Sequence, residues 1–290
     1  VAVGVAEFID KTIADPVFSP DIWSKNVLVK QEANLVFAKL VNREYERDAK
    51  VGKQVFISTI SDLSVRDKTI NTAITYETVA ETQIPIPLNV WDYAAIGIED
   101  IVNVQSHINL RSEYERKIAY ALAKSVDTKV SMGVQFFSKS VGTLGTPFTD
   151  QDVRDAVMYL DNNNVSEDGR VLVMSPAEKN DKLGLEKWTS ILYRGDDKRN
   201  GGGTQVNNGR IGDDVYGASP YMTTNLNKPA LGHADNALFH KDAYALVMQR
   251  SPKMHLFYDI DFFTWKVASE EILGHAELRD DHGVWLKGKS

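Results

Sequence analysis

Residues Gly283 to Ser290 read GVWLKGKS and match the GxxxxGK(S/T) spacing of a phosphate-binding loop. Such a loop works because a helix follows it and aims backbone N–H groups and a positive dipole end at the phosphates. The sequence supplies no following helix, and Val284, Trp285 and Leu286 have the pattern of a buried strand. A strand is expected here, and a nucleotide site is not. The six histidines include two pairs seven residues apart, His233 with His240 and His275 with His282. That spacing suits neither the strand period nor the helix period that would converge two ligands on a metal. Glu277, Asp280 and Asp281 beside the second pair leave two readings, a weak divalent-ion site and the commoner solvated turn. The acid pairs Asp196–Asp197 and Asp213–Asp214 fall in a glycine-rich loop, where charges are normally hydrated. No HExxH, GxSxG or GxGxxG occurs, and nothing brings a Ser, a His and an acid together as a triad. No catalytic residue, cofactor or metal is therefore expected, and the chain does not read as an enzyme.

Composition narrows the class further. A chain of 290 residues can bury a core of one large or two ordinary domains. Charged residues make up 25% and hydrophobic residues 43%, the balance of a soluble globular protein. The formal net charge of -7 and the interspersion of bases with acids argue against a dedicated nucleic-acid binder. With no cysteine, disulfides, thiolate catalysis and thiolate metal sites are excluded. No run approaches the roughly 20 apolar residues that span a bilayer. The first residues, VAVGVAEFIDKTIADPVFSP, lack the basic flank and apolar centre of a secretory signal. A soluble protein without a membrane partner is expected.

The element around which the rest is organised runs from about Ser106 to Ser138. Tyr114, Ile118, Leu122, Val126, Val130 and Val134 recur every four residues, which keeps them on one face of a helix. About 30 residues at 1.5 Å each would make a rod of about 45 Å. Before it, Lys53 to Ile60 reads as a strand, and NTAITYETVAETQIPIP is β-prone with few large apolar groups. Together these make a long hairpin with a polar tip, marginal by itself, which reads either as the edge of an ordinary sheet or as an arm whose open edges meet another chain. Pro85 and Pro87 fit an edge rather than a central strand. NVWDYAAIGIEDIV is strand-like. After Gly142, Gly145 and Pro147 a second, mixed unit begins: a helix capped by Thr149 or Asp150, the strand RVLVMSP, and a helix opening at Ser175–Pro176. Leu183, Leu185 and Trp188 are its candidate core residues. The segment from Tyr193 to Gly217 is a long polar loop. Strands return in ALFHKDAYALVMQ and in the stretch containing Leu256, Tyr258, Ile260, Phe262, Trp265 and Val267.

In this layout the chain resembles the major capsid protein of tailed bacteriophages, with its Hong Kong 97-type fold. The resemblance covers nearly the full length and rests on order of parts, not on a catalytic motif. DIWSKNVLVKQEANLVFAKLVN looks like the family's arm and first helix, and VGKQVFISTISDLSVRDKTINTAITYETVAETQIPIPL like its extended loop. TPFTDQDVRDAVMYLDNNNVSEDGRVLVMSPAEKNDKL is similar to the helix–strand–helix of the axial domain. The resemblance implies an α+β fold with an N-terminal arm at 1–22, a first helical segment at 23–50 and an extended β-hairpin loop at 51–90. It also implies a peripheral domain with the spine helix at 91–142, an axial domain at 143–240, and return strands at 241–290 that complete both.

The function that this resemblance implies is self-assembly into the icosahedral head shell of a tailed phage, enclosing double-stranded DNA. The implied partners are further copies in pentamers and hexamers, with scaffolding, portal and decoration proteins and non-specifically packaged DNA. The implied location is the virion capsid, assembled in the host cytoplasm. Contacts between subunits are expected at Trp23, at Arg66, Asp67 and Lys68 on the hairpin tip, and at Gly201, Gly202 and Gly203. Some members lock their shells by an isopeptide bond between a hairpin Lys and a late Asn. Lys68 matches the first role, but no Asn occurs after Asn236, so a non-covalent shell is expected. Two alternatives stand beside this reading. One is an encapsulin-type nanocompartment, which shares the fold and packages an enzyme; the other is a monomeric two-domain enzyme or binding protein.

Overall fold

The computed structural model describes residues 35–60, 63–78, 81–99, 110–185, 188 and 215–290. Its strands form three sheets. The first is a two-stranded antiparallel ribbon of β1 (Gln54–Ile60) and β2 (Glu81–Pro87), in register from Gln54 opposite Pro87 to Ile60 opposite Glu81. The second is a three-stranded antiparallel sheet in which β9 (Thr264–Glu277) lies between β3 (Val90–Glu99) and β8 (Tyr244–Asp259). The third has five strands in the order β4 (Ser140–Gly142), β10 (Gly283–Lys289), β7 (His233–His240), β5 (Arg170–Met174) and β6 (Ser219–Met222). Its β4–β10 and β5–β6 pairs are parallel and the others antiparallel. Helices combined with antiparallel-rich sheets make this an α+β fold.

Helix α2 (Leu110–Gly133, 24 residues) is the long element that the four-residue repeat predicts. At 1.5 Å per residue it is about 36 Å long. Ile118, Leu122, Val126 and Val130 are buried along one stripe, and Val134 continues it into the tighter turn Val134–Phe136. Tyr114, expected on the same stripe, stays 38% exposed. The expected start near Ser106 lies outside the described residues. Ile118 and Leu122 pack with Val267 of β9 and with Ala94 and Ile96 of β3, so half of the helix rests on the three-stranded sheet. Further along, Val126, Val130 and Val134 join Phe37, Phe239 and Tyr244 in a core shared with the five-stranded sheet. The short helical turn α1 (Phe37–Leu40) enters that core through Phe37 and is held from outside its own sequence. Asp127 of α2 accepts from the backbone N–H of Ala38 at 3.0 Å and from the Asn225 amide at 3.0 Å. Burial raises the Asp127 carboxyl above the ordinary aspartate range, although these donors pull the other way.

The helices flanking the five-stranded sheet begin where their capping residues predict. Thr149 and Asp152 form a reciprocal capping box at α3 (Asp150–Asn162), which buries Val153, Ala156 and Leu160. Ser175 caps α4 (Pro176–Leu183) by accepting from the N–H of Glu178. The interior of α4 is not as expected. Leu183 and Leu185 are 40% and 38% exposed, whereas Glu178 and Lys182 are buried; Trp188 is buried as expected. The reason is a polar junction that apolar side chains could not make. Glu178 accepts from the N–H groups of Lys289 at 2.7 Å and Phe148 at 3.4 Å, and Lys182 bonds the carbonyl of Phe148 and faces Glu178 at 3.6 Å. Burial pushes Glu178 up and Lys182 down, so the pair depends on these local partners for its charge.

Candidate assembly surface

The β1–β2 ribbon is built in two parts with different environments. At its base, Ile86 and Leu88 pack with Ala49, Ala245 and Val247, and Val55 and Ile57 lie against them. This fixes the ribbon to the three-stranded sheet of its own chain. Beyond the paired strands the situation changes. From 63 to 78 every residue is exposed, including Val65 at 98%, Ile70 at 89% and Tyr76 at 85%. Leu63 and Ile74 add to the same surface. The tip holds its shape with polar bonds alone: Ser64 donates from its backbone N–H and hydroxyl to the Glu77 carboxylate at 2.8–3.1 Å, and Asn71 takes a left-handed φ of 62° at the bend. Five large apolar side chains exposed within sixteen residues make this tip a candidate contact surface.

Of the residues singled out by sequence, Arg66, Asp67 and Lys68 stand exposed on this tip. Lys68 turns back on its own bend, bonding the carbonyls of Thr69 and Thr72. Trp23, Gly201, Gly202 and Gly203 lie outside the described residues. The tip carries more apolar surface than its sequence suggests, because its large residues are spaced among Thr, Asn and charged residues.

A second projection was not legible as a surface. Ile260 and Phe262 read as strand residues, yet β8 ends at Asp259 and β9 begins at Thr264. Between and beside those ends, Phe257, Ile260, Phe262 and Phe263 are each 65–71% exposed. Lys266 pairs with Asp259 across the turn and holds its carboxyl below the ordinary aspartate range. The signal available in the sequence was the pair Asp259 and Asp261 set among four aromatic or aliphatic residues, an acidity that a buried strand would not carry.

The residues considered for chemistry are placed elsewhere. Gly283–Lys289 is strand β10, paired with β7 from Gly283 opposite Phe239 to Lys289 opposite His233, and therefore not a phosphate loop. The histidine pairs of the sequence do not converge. Instead His240 meets His282 with ring centroids 6.0 Å apart, and His275 bonds the Tyr244 hydroxyl at 2.7 Å. Among the described residues no group of three or more His, Asp or Glu is arranged to hold a metal, and no helix is long and apolar enough to cross a membrane.

No family model matches the chain, and no curated protein does. Solved structures do. A chain from Mycobacterium phage Che8 is similar with a TM-score of 0.78 and 24% identity, covering 93% of this chain and 97% of that one. The capsid structure of cyanophage P-SCSP1u gives a TM-score of 0.72 and 16% identity, covering 94% of each chain. The mature capsid of bacteriophage PhiM1 gives 0.70 and 13%, covering 92% of this chain and 91% of that one. Identities this low carry the fold and nothing finer, and the likeness spans more than nine-tenths of each chain. The chain has the α+β, Hong Kong 97-type fold of tailed-phage capsid subunits.

Proposed function

We propose that this chain is a major capsid protein, a structural subunit that self-assembles into the icosahedral head shell of a tailed bacteriophage around double-stranded DNA. The observation that carries the reading is the extended ribbon. Its base is packed on its own sheet while residues 63–78 expose Leu63, Val65, Ile70, Ile74 and Tyr76 to solvent. An arm of that kind completes its packing on another copy, and repeated around a ring it links each subunit to the next. The exposed Phe257, Ile260, Phe262 and Phe263 form a second place for such a contact. The likeness to capsid structures over nearly the full chain supports the same conclusion.

On this reading residues 51–90 form the extended loop, 91–142 the peripheral domain with its spine helix, 143–240 the axial domain, and 241–290 the strands that return to both. Residues 1–22 are the arm and 23–50 the first helical segment. Arg66, Asp67 and Lys68 contact the neighbouring subunit, and Trp23 and Gly201–Gly203 do so from segments outside the described residues. The subunit acts by position and not by catalysis. Its partners are other copies in pentamers and hexamers, scaffolding, portal and decoration proteins, and DNA held without sequence preference. It resides in the virion after assembly in the host cytoplasm.

The test is electron microscopy and light scattering of the purified protein, alone and with the products of neighbouring genes. Closed shells enclosing DNA are expected. A closed shell filled with an enzyme would assign the chain to the nanocompartments instead. A 32.4 kDa monomer that persists with its scaffold present would refute assembly.

A further inference from the structure

Two carboxylates face each other beneath α2, one half-buried and one fully buried. Asp92 of β3 is paired directly with Glu271 of β9, and both point from the three-stranded sheet toward α2. Glu271 is fully buried, and neither of its oxygens has a hydrogen-bond partner among the described residues. Asp92 has taken the available donors: Lys129 of α2 pairs with it, and the Ser125 hydroxyl donates to it at 2.8 Å. A second negative charge on the buried Glu271, opposite an ionised Asp92 that already holds the cation, carries a cost.

We infer that Asp92, Glu271 and Lys129 form a proton-linked latch between α2 and the three-stranded sheet. With Glu271 neutral, the helix seats on the sheet and Lys129 serves Asp92 alone. With Glu271 ionised, the second negative charge has no donor, and separating helix from sheet relieves it by admitting water. The charged and titratable groups around Glu271 come from each neighbouring element. Asp92 faces it from β3 and Lys129 from α2. On β9 itself His275 lies further along the sheet, within the field of Lys129, and Tyr244 of β8 is hydrogen-bonded to it. Glu270 is turned to the opposite side of the sheet, where Arg250 pairs with it at 2.7 Å and Trp91 donates to it at 2.9 Å.

The environment agrees with this geometry. Burial and then the charge of Asp92 push Glu271 up to about 7, with Lys129 opposing them. Burial also works against Asp92, but the hydrogen bonds from Lys129 and Ser125 outweigh it and hold its carboxyl below the ordinary range. The sign is that of a raised acid. The closed state binds the proton more tightly than the open one, so opening becomes easier as pH rises from 4.5 toward about 7 and levels off above it. The latch is a property of the single chain and holds whether or not copies assemble.

Hydrogen exchange of the full chain tests it, read at the amides of 90–99 and 264–277 and corrected for chemical exchange. In the wild type, opening should increase at least about tenfold from about pH 5.5 to about pH 8. Glu271→Gln should hold opening nearly constant over that range, whereas Glu277→Gln, which lies beyond the β3–β9 pairing, should keep a pH response at 90–99. An equal pH response in wild type and Glu271→Gln would overturn the latch. If Glu271→Gln does not fold, infrared titration in the Glu277→Gln background decides the matter. A protonated carboxyl band lost near neutrality supports the latch, and its absence above about pH 6 refutes it.

Discussion

The carbonyl of Pro87 lies so close over Gly274 that a Cβ at that position would stand 2.3 Å from the carbonyl oxygen. Gly274 belongs to β9 and Pro87 ends β2, so this contact sets how the extended ribbon leaves the body. Gly274→Ala must push the ribbon base away. It should destabilise the subunit by about 1–3 kcal/mol, as overpacking does. Denaturant unfolding measures that loss, and faster proteolysis at 81–88 would locate it at the ribbon base.

The cap that Asp127 provides to the turn at Ala38 joins residues far apart in sequence. Asp127→Ala leaves the Ala38 N–H and the Asn225 amide without that acceptor inside the core. A loss of about 2–3 kcal/mol is expected. Hydrogen exchange at residues 36–39 should rise first; a variant as stable as wild type would mean that the turn is held by Phe37 alone.

Glu277 offers a pH prediction separate from the latch. Burial and then the neighbouring Asp280 raise its carboxyl from 4.5 to about 7. The folded state therefore holds this proton more tightly than the unfolded state, and stability falls as pH rises through that window. Glu277→Gln should lessen the slope, leaving the share of Glu271, and exceed wild type by about 1–2 kcal/mol at pH 8, allowing for partial solvent access. Thermal melts at pH 5 and pH 8 compare the two, and equal slopes would remove Glu277 as the source.

Polar replacement at the ribbon tip separates folding from assembly. Val65→Ser, Ile70→Ser and Tyr76→Ser combined should change subunit stability by less than about 0.5 kcal/mol, since all three are solvent-exposed. Burying such side chains against a neighbour contributes about 1.5–3 kcal/mol each, so particle yield should fall more than tenfold. Normal particles from this variant would place the essential contacts elsewhere.

Local periodicity and capping made part of the fold legible in the sequence. The four-residue repeat from Ile118 to Val134 placed the long helix and its buried stripe, and Thr149 and Ser175 marked two helix starts. Pairing between distant segments was not legible. Trp285 aligns with Ser140 across most of the second half of the chain, and nothing local at β4 announces a parallel partner. The buried Glu178–Lys182 pair was hidden because its partners, Phe148 and Lys289, are brought in by the fold. The apolar turn at 257–263 was hidden for the opposite reason. Large side chains there look like core until the ends of β8 and β9 place them in a turn where they stand mostly exposed.

The most direct measurement is hydrogen exchange across residues 63–78 in free subunits and in purified particles. Fast exchange in the free subunit and strong protection in the particle would establish that the tip is completed by another copy. Particles whose tip exchanges as it does in the free subunit would contradict assembly through the ribbon, as would a persistent monomer in which the tip is already protected.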